Sequence, residues 1–184
     1  MLMSAARSGL VIIDLQERLQ PAIDGGDKIT KQAGILLDGA AALDIPALVT
    51  EQYPRGLGPT IPEIKQKCSN STKIYSKLTF SAGKNADVAG HVDKWRKSGR
   101  NQAIICGTET HICVLQTVAD LMAQGSDVYL VTDACGSRTA ANRNAAISRM
   151  TAMGATCVTT EMVIFEWLEV AGTDEFKALS KLIK

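Results

Sequence analysis

The chain has no C-x-x-C pair, no run of basic residues and no apolar stretch long enough to span a membrane. Its five cysteines (Cys68, Cys106, Cys113, Cys135 and Cys157) are odd in number and widely spread. That argues against a disulfide framework and for reduced thiols in a cytoplasm-like compartment. Histidine is nearly absent: His91 and His111 fall on different predicted elements, so no two-histidine metal site and no metal are expected. Twenty Lys and Arg against 19 Asp and Glu leave a formal charge of +1, and no basic-aromatic interleaving marks a nucleic-acid footprint. The first seven residues carry too little apolar content for a signal peptide. Gly25-Gly26 and Gly56-x-Gly58 lack the strand-to-helix context of a phosphate loop, so no nucleotide cofactor is expected. What remains is a protein for a small-molecule substrate.

A length of 184 residues fits one domain, residues 1–184, able to bury roughly 70% of its unfolded surface. Leu10 to Asp14, Ala47 to Thr50, Lys73 to Lys77, Gln102 to Cys106, Val128 to Thr132 and Ala155 to Val158 read as strands. Residues 27–43, 87–97, 110–124 and 139–153 show helical spacing, and two short helices, about 161–169 and 174–183, close the chain. In the helix 110–124 the predicted inward face is Ile112, Leu115, Val118, Ala119 and Met122. The Gly- and Pro-rich stretch from Glu51 to Pro59 is unfavourable to regular structure and reads as a long, functional loop. Strands alternating with helices predict an α/β three-layer sandwich of Rossmann-like type: a mostly parallel six-stranded sheet with helices on both faces.

Three chemical groups fall at strand ends. Asp14 ends the first strand, Lys77 ends the third, and Cys113 lies in the first turn of the helix after Cys106-Gly107-Thr108-Glu109. Parallel neighbouring strands would bring an acid, an amine and a thiol into the crevice at the carboxyl edge of the sheet. Backbone N–H groups and the helix dipole at that position are expected to favour the Cys113 thiolate. Taken singly, each residue has a plainer reading: Cys113 as a small buried hydrophobe, Asp14 as a turn cap and Lys77 as a solvated loop lysine. Cys68, Cys106, Cys135 and Cys157 read as structural, with Cys135 also a candidate to line the site.

The motifs Val11-Ile12-Ile13-Asp14-Leu15-Gln16, Ser76-Lys77-Leu78-Thr79-Phe80-Ser81-Ala82 and Gly107-Thr108-Glu109-Thr110-His111-Ile112-Cys113-Val114 resemble the isochorismatase-like cysteine hydrolases. The segments 50–58 and 159–166 look most like the isochorismatase domain-containing subgroup. The resemblance implies an Asp14-Lys77-Cys113 triad and a backbone turn at Thr108, Glu109 and Cys113 facing an oxyanion. It also implies a cis peptide near Thr108-Glu109 and a pocket shaped by Gln16, Gln52, Tyr53, Phe80, Thr110 and Phe165. Glu51, Gln52 and Tyr53 stand where the family's nicotinamidases carry metal-binding histidines, and Cys113 is absent from its vinyl-ether hydrolases. The implied activity is therefore cofactor-free cleavage of an amide-type C–N bond through a covalent acyl intermediate. A homo-oligomer is implied too, with Met162 to Leu168 as a candidate contact. A binding or scaffold protein and a thiol redox sensor stay open as alternatives.

Overall fold

The computed structural model describes residues 1–183. Its frame is a sheet of six strands: β1 (Ser8–Ile13), β2 (Ala47–Gln52), β3 (Lys73–Lys77), β4 (Gln102–Thr108), β5 (Asp127–Gly136) and β6 (Thr156–Val158). They lie in the order β3-β2-β1-β4-β5-β6, and every pair is parallel. β1 and β4 are buried along their whole length, which is why they read as unbroken apolar runs rather than alternating ones.

The α-helices are α1 (Gly26–Ala42), α2 (Pro54–Leu57), α3 (Pro62–Lys65), α4 (Ala86–Lys97), α5 (Leu115–Ala123), α6 (Ala140–Ala152), α7 (Thr160–Leu168) and α8 (Asp174–Leu179). Asn85, Thr139 and Thr159 cap α4, α6 and α7 by accepting backbone N–H bonds, which sets where each begins. α1 packs with α7 and α8, while α5 packs with α6, so the sheet lies between two helical layers. Gly9 of β1 faces the Trp95 ring so closely that a Cβ there would lie 2.4 Å from it. The glycine lets α4 seat directly on the central strand.

Three local expectations are corrected. The loop 51–59 is not free of regular structure, because β2 runs through Gln52 and a one-turn helix, α2, follows. β5 is longer than Val128 to Thr132: its register against β4 shifts between Ile105 and Gly107, and beyond that irregularity Cys135 and Gly136 pair with Gly107 and Thr108. The segment 110–124 is not one α-helix either. Thr110–Val114 forms a wide π-helical turn before α5. Its extra residue rotates the buried face onto Cys113, Val114, Thr117, Val118 and Leu121, leaving Ile112, Leu115, Ala119 and Met122 half-buried.

Candidate active site

In the order β3-β2-β1-β4, β1 is followed in sequence by β2 on one side, and β4 lies on the other, so the topology switches direction between β1 and β4. Open α/β sheets form their crevice there, beyond the carboxyl ends of the strands. Asp14 follows the last residue of β1, and the turn carrying Cys113 follows β4. Lys77 ends β3, paired in register with Gln52 of β2.

Gly107 makes the close approach of the two central strands possible. It has φ 135°, and a Cβ there would lie 2.1 Å from the Ile13 carbonyl oxygen. The side-chain hydroxyl of Thr108 donates to the Asp14 carbonyl at 2.6 Å, tying the end of β1 to the end of β4. Asp14 itself has φ 55° and Glu109 has φ 53°, two left-handed non-glycine residues on either side of the switch point. Such backbone persists where the surroundings enforce it, and it gathers at functional sites.

The Asp14 carboxylate is fully buried and bonded on both oxygens. Thr50 Oγ1 donates to Oδ1 at 2.6 Å and Lys77 Nζ to Oδ2 at 2.8 Å. Lys77, equally buried, also donates to Gln52 Oε1 at 2.7 Å and to the Phe80 carbonyl at 3.0 Å. The ammonium is thus held in a cage of oxygens that compensates its desolvation.

Cys113 is 4% exposed. The expectation of a stabilised thiolate is overturned: burial, with the Asp14 carboxylate next, pushes the Cys113 thiol up to about 12, and Lys77 only partly offsets them. Asp14 acts on the thiol through its charge and as a hydrogen-bond acceptor, and Glu109 adds a smaller effect of the same sign. Burial outweighs the expected helix-start stabilisation, so Cys113 is held as a thiol beside the Asp14 carboxylate. Thr117 Oγ1 donates to the Cys113 carbonyl at 2.7 Å and accepts from Ala82 N at 2.9 Å, clamping the wide turn to the segment after β3.

Thr50, Thr117 and Arg138 are absent from the residues singled out in the sequence. Thr50 could have been found, since it lies in β2 paired in register with Ile13, the residue before Asp14. Arg138 Nε lies 2.7 Å from Glu109 Oε1, an ion pair no spacing rule indicates.

The remaining sequence candidates divide. Gln52 meets Lys77 directly. Gln16 is buried as a brace, its amide donating to the Gln52 and Gly58 carbonyls and its oxygen accepting from Gln52 N. Tyr53 and Phe80 are half-exposed near Lys77. Thr110 is fully buried in the turn before Cys113. Phe165 is not brought to the triad: it packs on Phe176 and lines a cavity with Met1, Leu2 and Met3. α7 lies along the starting end of β1, where Trp167 Nε1 donates to Ser8 Oγ. That is roughly 20 Å from Asp14 along the strand. All peptide bonds among the described residues are trans, so the cis bond near Thr108-Glu109 is absent, and the chain turns there through the left-handed Glu109.

Cys135 is buried and its thiol is pushed up to about 12, chiefly by burial, in keeping with a structural role. The two histidines stay apart, His91 Nδ1 bonded to the Tyr75 hydroxyl and His111 Nδ1 to Ser137 Oγ. Among the described residues no group of three His, Cys, Asp or Glu side chains is placed to hold a metal ion. A cleft of about 390 Å³ bounded by Pro54, Leu78, Thr79 and Asn85 reaches Lys77. A larger groove of about 650 Å³ runs between Glu17, Asp38 and Lys67 and contains none of the three residues; the chemistry, not the volume, locates the site.

Residues 8–162 match the Isochorismatase domain family. The chain belongs to the isochorismatase family. A curated relative, isochorismatase domain-containing protein 2A of Mus musculus, is 38% identical over 178 residues, covering 95% of this chain and 82% of its own. The MAR1 ribonuclease structure from Caenorhabditis elegans superposes with TM-score 0.92 at 34% identity, covering 100% of this chain and 92% of that one. Two YcaC structures share the isochorismatase fold. That from Pseudomonas aeruginosa, described with covalent acrylamide, has TM-score 0.87 at 26% identity over 99% and 95% of the two chains. That from Escherichia coli, described as an octameric hydrolase of unknown specificity, has TM-score 0.90 at 25% identity over 99% and 90%.

Proposed function

We propose that this isochorismatase-family protein is a cofactor-free cysteine hydrolase that cleaves an amide-type C–N bond of a small molecule. The observation that carries this reading is the buried Lys77–Asp14 pair, 2.8 Å apart at the switch point of the sheet, whose carboxylate acts on the buried Cys113 thiol.

The raised thiol assigns the roles. At neutral pH the Cys113 sulfur has to shed its proton as it attacks, and Asp14 is the base that takes it. The sulfur bonds to the carbonyl carbon, and backbone N–H groups of the turn Thr108 to Cys113 face the developing oxyanion. When the intermediate collapses, the C–N bond breaks and Asp14 returns the proton to the departing nitrogen. Water then attacks the thioester while Asp14 accepts its proton. The acid leaves, the proton returns to sulfur, and the thiol is restored. Lys77 keeps its proton throughout and balances the charge that Asp14 carries.

The covalent acrylamide described for the Pseudomonas aeruginosa relative supports a nucleophile in this fold. The name ribonuclease on the Caenorhabditis elegans relative suits this chain less: a charge of +1 and a thiol 4% exposed favour a small substrate over a polynucleotide. A redox-sensing thiol is disfavoured by the same burial, because sulfenic acid formation needs an accessible thiolate. Five free thiols support a reducing, cytoplasm-like compartment. The octameric relative, and the exposure of Tyr53, Leu78 and Phe80 beside Lys77, support a homo-oligomer in which like chains cover that rim.

The test is mass spectrometry of acid-quenched protein after incubation with a panel of small amides and ureido compounds. An acyl adduct on Cys113 is expected, lost together with turnover in Cys113→Ala. Turnover that survives in Cys113→Ala refutes the reading.

A further inference from the structure

Thr117 lies in α5, four residues after Cys113, fully buried and with its hydroxyl bonded on both sides. It donates to the Cys113 carbonyl at 2.7 Å and accepts from Ala82 N at 2.9 Å. A carbonyl only accepts and a backbone N–H only donates, so the direction of both bonds is fixed. The first bond stays on the helix, on the i−4 carbonyl. The second leaves it for the segment that follows β3.

That segment also holds the other half of the triad. Two residues before Ala82, the Phe80 carbonyl accepts from Lys77 Nζ at 3.0 Å, and the Leu78 carbonyl accepts from Gln52 Nε2 at 2.9 Å. The side chains of Leu78 and Phe80 are exposed, so the loop turns its backbone oxygens to the ion pair and its apolar groups outward. Beyond Ala82 the same segment is seated on α5. Gln124 Nε2 donates to the Gly83 carbonyl at 3.0 Å, and a Cβ on Gly83 would lie 2.8 Å from the Asp120 Cβ, so no side chain fits between segment and helix. Cys113, Thr117, Asp120 and Gln124 recur at the three- and four-residue spacing of one helix face. Residues 80–83 thus touch Lys77 at one end and the Cys113-bearing face at the other.

We infer that Thr117 is a positioning residue of the site: through the Ala82 amide it ties the Cys113 turn to the loop that holds Lys77, and so keeps the thiol in place against the Asp14 carboxylate. The inference rests on the cysteine-hydrolase reading and adds to it the residue that joins the thiol to the ion pair. Valine would fill the same space as Thr117, but only a hydroxyl makes both bonds.

A double-mutant cycle tests this without knowledge of the substrate. Its readout is the alkaline midpoint of Cys113 alkylation by iodoacetamide, followed by peptide mass spectrometry. In the wild type, Asp14→Asn lowers that midpoint, because the carboxylate acts on the thiol. In a Thr117→Val background the same substitution should move it by about half as much or less, since the thiol is no longer held at the carboxylate. Thr117→Ser keeps the hydroxyl and should restore the full shift. Val163→Ala opens a cavity in α7, which packs on α1 in the other helical layer, and should lower the urea midpoint while leaving the shift intact. That control separates positioning from a general loosening of the fold.

A full shift in Thr117→Val, or a shift as small in Thr117→Ser as in Thr117→Val, overturns the role of Thr117 and leaves the hydrolase reading standing. A wild-type midpoint indifferent to Asp14→Asn overturns both. Should Thr117→Val lose its native circular dichroism, amide hydrogen exchange of the wild type decides. The Ala82 amide should then be protected as strongly as the amides of β4, and exchange at the rate of an unfolded chain refutes the tie.

Discussion

Lys77 Nζ lies 2.8 Å from Asp14 Oδ2, with both side chains fully buried. The two residues are 63 positions apart in sequence and come from strands separated by β2. Gln52 and the Phe80 carbonyl complete the ammonium's coordination, and Thr50 completes the carboxylate's. An ion pair so placed is a poor source of net stability, since desolvation offsets most of the attraction, yet it is very sensitive to the loss of one partner.

Lys77→Met therefore leaves a buried, unbalanced carboxylate and should destabilise the fold by about 3–5 kcal/mol. For a chain of this length that is a fall in Tm on the order of 10 °C. The double variant Asp14→Asn/Lys77→Met, which removes both charges, should regain much of the loss. Urea unfolding of the single and double variants checks the coupling, and strictly additive losses would contradict it.

The direction of the Cys113 shift makes a second prediction with a definite sign. Its pKa in the fold, about 12, lies above the ~8.5 of an unfolded thiol. Between those values the folded chain binds more protons than the unfolded one, so this contribution is full below pH ~8.5 and is lost as pH rises towards 12. Cys113→Ala should flatten the alkaline decline by up to about 1.4 kcal/mol per pH unit within that window. Urea midpoints of wild type and variant at pH 9 and pH 10.5 measure the difference. The same physics predicts that Asp14→Asn lowers the Cys113 midpoint for iodoacetamide while abolishing turnover, and that Lys77→Met raises it.

Gly107 offers a test of the switch point itself. A methyl group there would sit 2.1 Å from the Ile13 carbonyl oxygen, on a backbone at φ 135° that side chains rarely adopt. Gly107→Ala should separate β1 from β4 and cost about 3 kcal/mol or more, through both strain and the lost approach. Thermal melts report it, and a Tm within a degree of wild type would show that the strands can part without consequence.

The sheet was legible because β1 and β4 are buried on both faces and so appear as apolar runs, with helical periodicity between them. The topology then carried Asp14, Lys77 and the Cys113 turn to one edge. What could not be read has a common cause in single backbone irregularities. One extra residue in the 110–114 turn rotates the buried face of α5, and one register shift extends β5 to Gly136. Helices of four residues, such as α2 and α3, are too short to show a period. The protonation of Cys113 was misread because a helix dipole is visible in sequence, whereas the burial that overrides it is a property of the packed fold. Phe165 failed as a pocket residue for a similar reason: its apolar neighbours Val163, Ile164 and Trp167 turn into the core and carry α7 towards the opposite edge.

Thr50 provides the sharpest separation of positioning from packing. Its hydroxyl donates to Asp14 Oδ1 at 2.6 Å from a site with no solvent exposure, and its backbone carbonyl accepts from Asp14 N at 3.1 Å. Thr50→Val keeps the volume and the strand pairing but removes the donor, which should cost about 1–3 kcal/mol for a carboxylate left short of a partner. The same carboxylate, free to turn about its Lys77 contact, would no longer aim at the Cys113 thiol. Cys113 alkylation at neutral pH should slow by about tenfold or more, in step with a hydrogen bond of that strength. Thr50→Ser restores the hydroxyl and should recover the rate even though it removes a methyl group from the core. If Thr50→Ser is as slow as Thr50→Val, the methyl contact rather than the hydrogen bond orients Asp14; if both react as fast as wild type, Lys77 alone is enough to hold the base in place.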